Sequence, residues 1–118
     1  IPWLRAGAFD IVQPDVTKVG GISEERRIAW MAEDSGVRCV PHGWNTALGL
    51  AADLQLATAN QNIEIVEYLT GSPFIDDLVE VPWKLEPDGM LLVPQGPGLG
   101  VSINLDAAEK YTGLKWES

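Results

Sequence analysis

Gln13-Pro14-Asp15-Val16, Val40-Pro41-His42-Gly43 and Ile65-Val66-Glu67-Tyr68 are stretches in which a mostly apolar run ends on an ionisable residue. Each closes a segment with strand character: about Asp10 to Val16 (DIVQPDV), Arg38 to Pro41 (RCVP) and Ile63 to Tyr68 (IEIVEY). Between these segments the apolar period becomes helical. After the first, Ser23 is placed to cap a helix from about Glu24 to Ser35. Glu24 and Glu25 fall in its electropositive first turn, Ile28, Met31 and Ala32 share one face, and Gly36 suits the stop. After the second, Asn45 or Thr46 can cap a helix in which Ala47, Leu50, Ala51, Leu54 and Ala57 recur at helical spacing, with Asp53 and Gln55 towards the flanks or outside. Strands alternating with helices in this way are the pattern of parallel βα units, so the fold class is α/β.

Parallel strands joined by right-handed crossovers bring their C-terminal ends to one rim. Asp15, His42 and Glu67 are therefore expected to converge there as a carboxylate, imidazole and carboxylate set suited to proton transfer. A carboxylate beside a histidine accepts the Nδ1 hydrogen, which leaves Nε2 free as a base and stabilises the imidazolium once it has taken a proton. Asp15 would orient and His42 would act. Glu67 could donate to a substrate oxygen if burial or nearby negative charge kept it protonated. Each residue also has a plainer reading: His42 as a loop residue, Asp15 as the cap of the turn through Thr17 and Lys18, and Glu67 as a solvated charge, as is expected of Glu64.

After Tyr68 the pattern breaks at Thr70-Gly71-Ser72-Pro73, and the tail to Ser118 is rich in Pro and Gly. A turn at Asp88-Gly89, a short strand at Met90 to Val93, an irregular loop over residues 94–100 and a short helix at Asp106 to Tyr111 are expected there. Gly96-Pro97-Gly98-Leu99-Gly100 does not open a helix after a strand as a dinucleotide fingerprint must. The whole is read as one domain.

At 118 residues the chain is too short for a complete (β/α)8 barrel, which takes roughly 250. It has no initiator Met and enters a strand within a few residues, which reads as a segment cut from something longer. A net charge of −9 argues against nucleic acid and anionic membrane surfaces, both of which call for a basic face. No apolar run approaches the ~20 residues that span a bilayer, and a cytoplasmic location is the expectation. Cys39, the only cysteine, sits in an apolar run and reads as a buried thiol.

Gln13 to Ile22 (QPDVTKVGGI), Val40 to Ala51 (VPHGWNTALGLA) and Ile65 to Leu69 (IVEYL) resemble the sixth, seventh and eighth barrel strands of the mandelate racemase subgroup of the enolase superfamily. Asp88 to Val101 (DGMLLVPQGPGLGV) is similar to the segment with which that family closes its barrel. The resemblance implies the C-terminal part of a TIM-type barrel, with about three βα units and an irregular tail. It also implies a reaction, removal of the proton α to a carboxylate to give an enediolate stabilised by Mg2+. By position Asp15 and His42 match the family's Asp-His dyad, and Glu67 its eighth-strand acid. Lys18 could be read as the base used in the muconate cycloisomerase branch. Because Asp15 precedes it and His42 is present, the His-base branch is preferred, with Lys18 a partner to the dyad or a structural residue. Trp44 and Asn45 are candidates for substrate contact, with packing and helix capping as their alternatives.

The family's metal ligands lie on earlier strands, so the resemblance places no Mg2+ ligand in this chain. The expected substrate is a small-molecule carboxylate, an acid sugar, and the expected chemistry is dehydration, with racemisation or epimerisation as the alternative. A non-catalytic binding module is the alternative from another class. The isolated chain is expected to be catalytically silent. Its open strand edges and apolar surface predict self-association into a homo-oligomer, or pairing with a missing half.

Overall fold

A computed structural model describes residues 1–115. The elements run α1 (Pro2–Arg5), β1 (Ile11–Val12), α2 (Ile22–Asp34), β2 (Arg38–Cys39), α3 (Ala47–Thr58), α4 (Pro73–Asp76) and α5 (Leu105–Thr112). Strands β1 and β2 pair in parallel with Ile11 opposite Arg38 and Val12 opposite Cys39. The pairing continues past the assigned strands, because Val40 donates to the Val12 carbonyl at 3.0 Å and His42 to that of Pro14 at 2.7 Å.

The expected third strand, Ile63 to Tyr68, does not join the sheet as a regular ladder. Donors along the second strand alternate between its two neighbours. Arg38, Val40 and His42 serve the first strand, and Cys39 donates to the Asn62 carbonyl at 3.1 Å. The next donor on that side would come from Pro41, which has no N–H. The one after it, Gly43, gives its N–H to the Glu67 side chain at 2.8 Å. Asn62 thus lies beside Cys39 and Glu67 beside Gly43, so the third segment runs parallel to the second while lacking its ladder.

Helix α2 begins one residue before Ser23: Gly21, at φ +93°, is the N-cap, and no side chain caps the helix. That φ lies in a region costly for residues with a Cβ. Ala29 and Ala32 form the buried stripe with Glu25 on the same face, while Ile28 and Met31 are partly covered. Helix α3 is capped by Thr46, which accepts from the Gly49 N–H at 3.4 Å. It is buried on nearly all sides, and Asp53, expected at its flank or outside, is fully buried. Gln55 is half-buried and donates to the Pro94 carbonyl at 2.8 Å, which ties the tail to α3.

One core cluster joins Ala29, Cys39, Leu56 and Ile63; a second joins Leu50, Leu54 and Ile75. Cys39 is buried as expected, and burial pushes its thiol up to about 12. In the tail, the expected strand at Met90 to Val93 is only a single bridge between Leu91 and Leu85. The helix expected at Asp106 to Tyr111 is α5, capped by Asn104, which accepts from the Ala107 N–H at 3.2 Å. Helices α1 and α4, which the sequence pattern did not indicate, are single turns opened by proline. Among the described residues no helix is long and apolar enough to cross a membrane.

Candidate active site

The first two strands deliver their terminal residues to a common point. Asp15 is 5% exposed and stands where the chain leaves β1 and turns towards α2. Its Oδ1 accepts from the Thr17 N–H at 2.9 Å and the Thr17 hydroxyl at 2.5 Å. Its Oδ2 accepts from the Lys18 ammonium and faces His42 Nδ1 at 2.9 Å. Burial pushes the Asp15 carboxyl up, but the donors from Lys18, Thr17 and His42 together outweigh it and hold the group well below the usual carboxylate range. An ionised Asp15 can only accept, so the hydrogen between it and His42 belongs on Nδ1 and leaves Nε2 with its lone pair. The turn-capping and imidazole-orienting readings of Asp15 thus coexist, since one oxygen serves each.

Asn45 does not cap α3. Its Oδ1 accepts from the Thr46 N–H at 2.6 Å, and its Nδ2 donates to the His42 carbonyl at 3.2 Å and reaches Asp15 Oδ1 at 3.5 Å. It therefore links the two members of the dyad. Trp44 is 70% exposed in this chain.

Glu67 comes to the same rim, its Oε2 held by the Gly43 N–H. It is exposed, so burial within this chain does not supply the setting that a neutral acid requires. Glu64 is exposed, as expected. Gly43 is the contact the sequence reading missed: a Cβ there would lie 1.9 Å from the Glu67 carbonyl oxygen, a backbone atom with no freedom to move aside. Gly43→Ala is expected to destabilise the chain by about 2 kcal/mol or more. Chemical denaturation would show it as a lowered urea midpoint, and an unchanged midpoint would contradict the close approach.

The sequence profile of the enolase C-terminal domain-like family matches residues 1–108. The chain belongs to that family. D-galactarolactone cycloisomerase of Agrobacterium fabrum is 40% identical over 117 residues, spanning 92% of this chain and 31% of that enzyme. D-xylonate dehydratase of Haloferax volcanii is 35% identical over 109 residues, spanning 92% of this chain and 26% of that enzyme. A mandelate racemase/muconate lactonizing enzyme from Sulfitobacter sp. superposes with a TM-score of 0.83 at 36% identity, covering 98% of this chain and 30% of that one. An enolase from Pantoea ananatis, described with bound D-gluconate and Mg, superposes with a TM-score of 0.80 at 26% identity, covering 92% of this chain and 26% of that one. The chain thus spans about a third or less of the length of these proteins, and its fold is the matching part of the enolase-type barrel domain.

This enolase-family segment does not itself present a fitting Mg2+ site. Asp15 spends its oxygens on Lys18, Thr17 and His42, and Glu67 Oε2 is taken by Gly43. Among the described residues no group of three or more His, Cys, Asp or Glu side chains converges to hold a metal ion.

Proposed function

We propose that this chain supplies the general base and its orienting carboxylate to an enolase-superfamily enzyme that removes the proton α to the carboxylate of an acid sugar. The observation that carries the reading is the 2.9 Å approach of His42 Nδ1 to Asp15 Oδ2, which places the ring hydrogen on Nδ1 and leaves a lone pair at Nε2. Dehydration is the preferred outcome: after taking the α-proton, the imidazolium can return it to the departing β-hydroxyl, which leaves as water. Racemisation or epimerisation would reuse the first half of that sequence and return the proton to carbon instead. The relatives named above, a dehydratase and a cycloisomerase among them, support the lyase or isomerase class.

Glu67 is assigned the role of substrate-facing acid. Lys18, Asn45 and Trp44 are assigned to the surroundings of the base and to substrate contact. Mg2+ would be held by residues outside this chain, as would much of the surface that selects the substrate.

Lys18 donates to the same Asp15 Oδ2 that faces His42, which occupies its ammonium and favours His42 over Lys18 as the base.

The test uses two proteins. The 118-residue chain alone, given Mg2+ and a panel of acid sugars, is expected to show no turnover. A chimera in which these residues replace the matching segment of the Agrobacterium cycloisomerase is expected to exchange the α-proton of an acid sugar with solvent deuterium. A folded, metal-loaded chimera that neither exchanges nor turns over any acid sugar would overturn the reading, as would Mg2+-dependent activity in the chain alone.

A further inference from the structure

Behind the dyad lie two acidic side chains that the proposed chemistry does not use. Glu25, in the first turn of α2, and Asp53, midway along α3, are both 0% exposed. None of their four carboxyl oxygens has a hydrogen-bond partner among the described residues. A buried carboxylate without a donor is among the costliest arrangements a core can hold, whereas a protonated carboxyl carries its own donor.

The surroundings of the pair are defined. On the α3 side, Gly49 lies one turn before Asp53 and Asn45 one turn before that. Gly49 leaves the space that the Asn45 amide fills, since a Cβ there would lie 2.1 Å from Asn45 Oδ1. Asn45 in turn reaches the His42 carbonyl and Asp15. From the loop after β1 the pair faces Asp15 with its Lys18 partner; from β2 it faces Cys39, and beyond that strand His42. Lys18 is the one cation in this set apart from a protonated His42, and it is already tied to Asp15.

We infer that Glu25 and Asp53 form a proton-holding carboxyl pair behind the Asp15–His42 dyad and act as positioning residues for it, so that the charge of the pair and the protonation of His42 are coupled. Burial pushes both groups up, Glu25 to about 8 with Asp53 and Asp15 adding to the effect, and Asp53 to about 7 with Asp15 adding to it and the Asn45 amide and His42 opposing it. The pair is therefore neutral in mildly acidic solution and gains negative charge as pH rises through neutrality. That charge favours the imidazolium of His42 and disfavours further anionic charge near Asp15. The consequence for catalysis rests on the reading of His42 as base, but the coupling itself is a property of this chain and is measured without substrate.

The test is a pH titration of the 118-residue chain by NMR. His42 is the only histidine, so its Cε1–H resonance is unambiguous. In the unaltered chain the side-chain carboxyl carbons of Glu25 and Asp53 are expected to keep their protons beyond pH ~6, well above the usual ~4. The His42 resonance should then show a second inflection where the carboxyls ionise. In Glu25→Gln/Asp53→Asn the His42 curve should become one sharper step, with its midpoint lowered by roughly 0.3 to 1 pH unit. If the double variant does not fold, the unaltered chain decides the matter. Carboxyl carbons that both titrate near pH 4 would end the proposal. A His42 curve that is single-stepped in the unaltered chain, or unmoved by folded variants, would remove the coupling. Activity of the chimera has no part in these outcomes, so their failure is distinct from failure of the functional reading.

Discussion

In the chimera, His42→Asn is expected to lower kcat for α-proton removal on the order of 10³-fold, because the asparagine fills a similar place yet carries no basic lone pair. Asp15→Asn should cost on the order of 10²-fold or more through a different route. The amide can meet Nδ1 with its NH2, which favours the tautomer whose hydrogen sits on Nε2, and it withdraws the charge that stabilises the imidazolium. Lys18→Met separates the two candidate bases. As the donor in the ion pair to Asp15, Lys18 offers no lone pair, so its loss should cost less than about tenfold in kcat if His42 is the base. The reverse order, with His42→Asn mild and Lys18→Met near-silent in turnover, would move the chemistry to the cycloisomerase type. Solvent-deuterium exchange at the α-carbon reads the step directly and does not depend on which product forms.

The positions of Asp15, His42 and Glu67 were legible because strand ends are set by topology. Once the alternation of β and α segments is recognised, the ionisable residue closing each apolar run must reach the same rim. The Asp15–His42 contact follows from that rule, and so does the nearness of Glu67 to Gly43. The loss of the third ladder was also within reach, since Pro41 faces the neighbour that a full strand would have to bond. What periodicity could not show was the environment of a polar residue on a helix with apolar neighbours on almost every side. Asp53 falls off the Ala47-Leu50-Leu54 stripe and so reads as peripheral, yet α3 is packed nearly all round and the flank is itself buried. Glu25 follows the same logic in reverse. Its first-turn place suits a carboxylate, but it shares the stripe of Ala29 and Ala32, which faces inward.

That inward placement gives the chain an unusual dependence of stability on pH. Thermal unfolding is expected to occur roughly 5 °C or more lower at pH 8 than at pH 5.5, the reverse of a fold stabilised chiefly by paired carboxylates. Between the unfolded values near ~4 and the folded values of about 7 for Asp53 and about 8 for Glu25, the native state holds protons that the unfolded chain has released. Each such proton lowers stability with rising pH by about 1.4 kcal/mol per unit, and the slope levels off once pH passes the folded values. Asp15 has the opposite sign: its folded value is depressed, so its contribution is complete above the unfolded value near ~4 and is lost only as pH falls below it. The two effects leave an optimum at mildly acidic pH. Glu25→Gln/Asp53→Asn removes the alkaline-side loss and should flatten the curve above pH 5, making the variant more stable than the parent at pH 8. Asp15→Asn should weaken the acidic limb and make the alkaline one shallower, because the Asp15 charge adds to the upward shift of both buried carboxyls. Calorimetric scans of the three proteins from pH 3 to pH 9 would separate these contributions. A parent chain whose Tm is the same at pH 5.5 and pH 8 would show that Glu25 and Asp53 have no buried protons to lose.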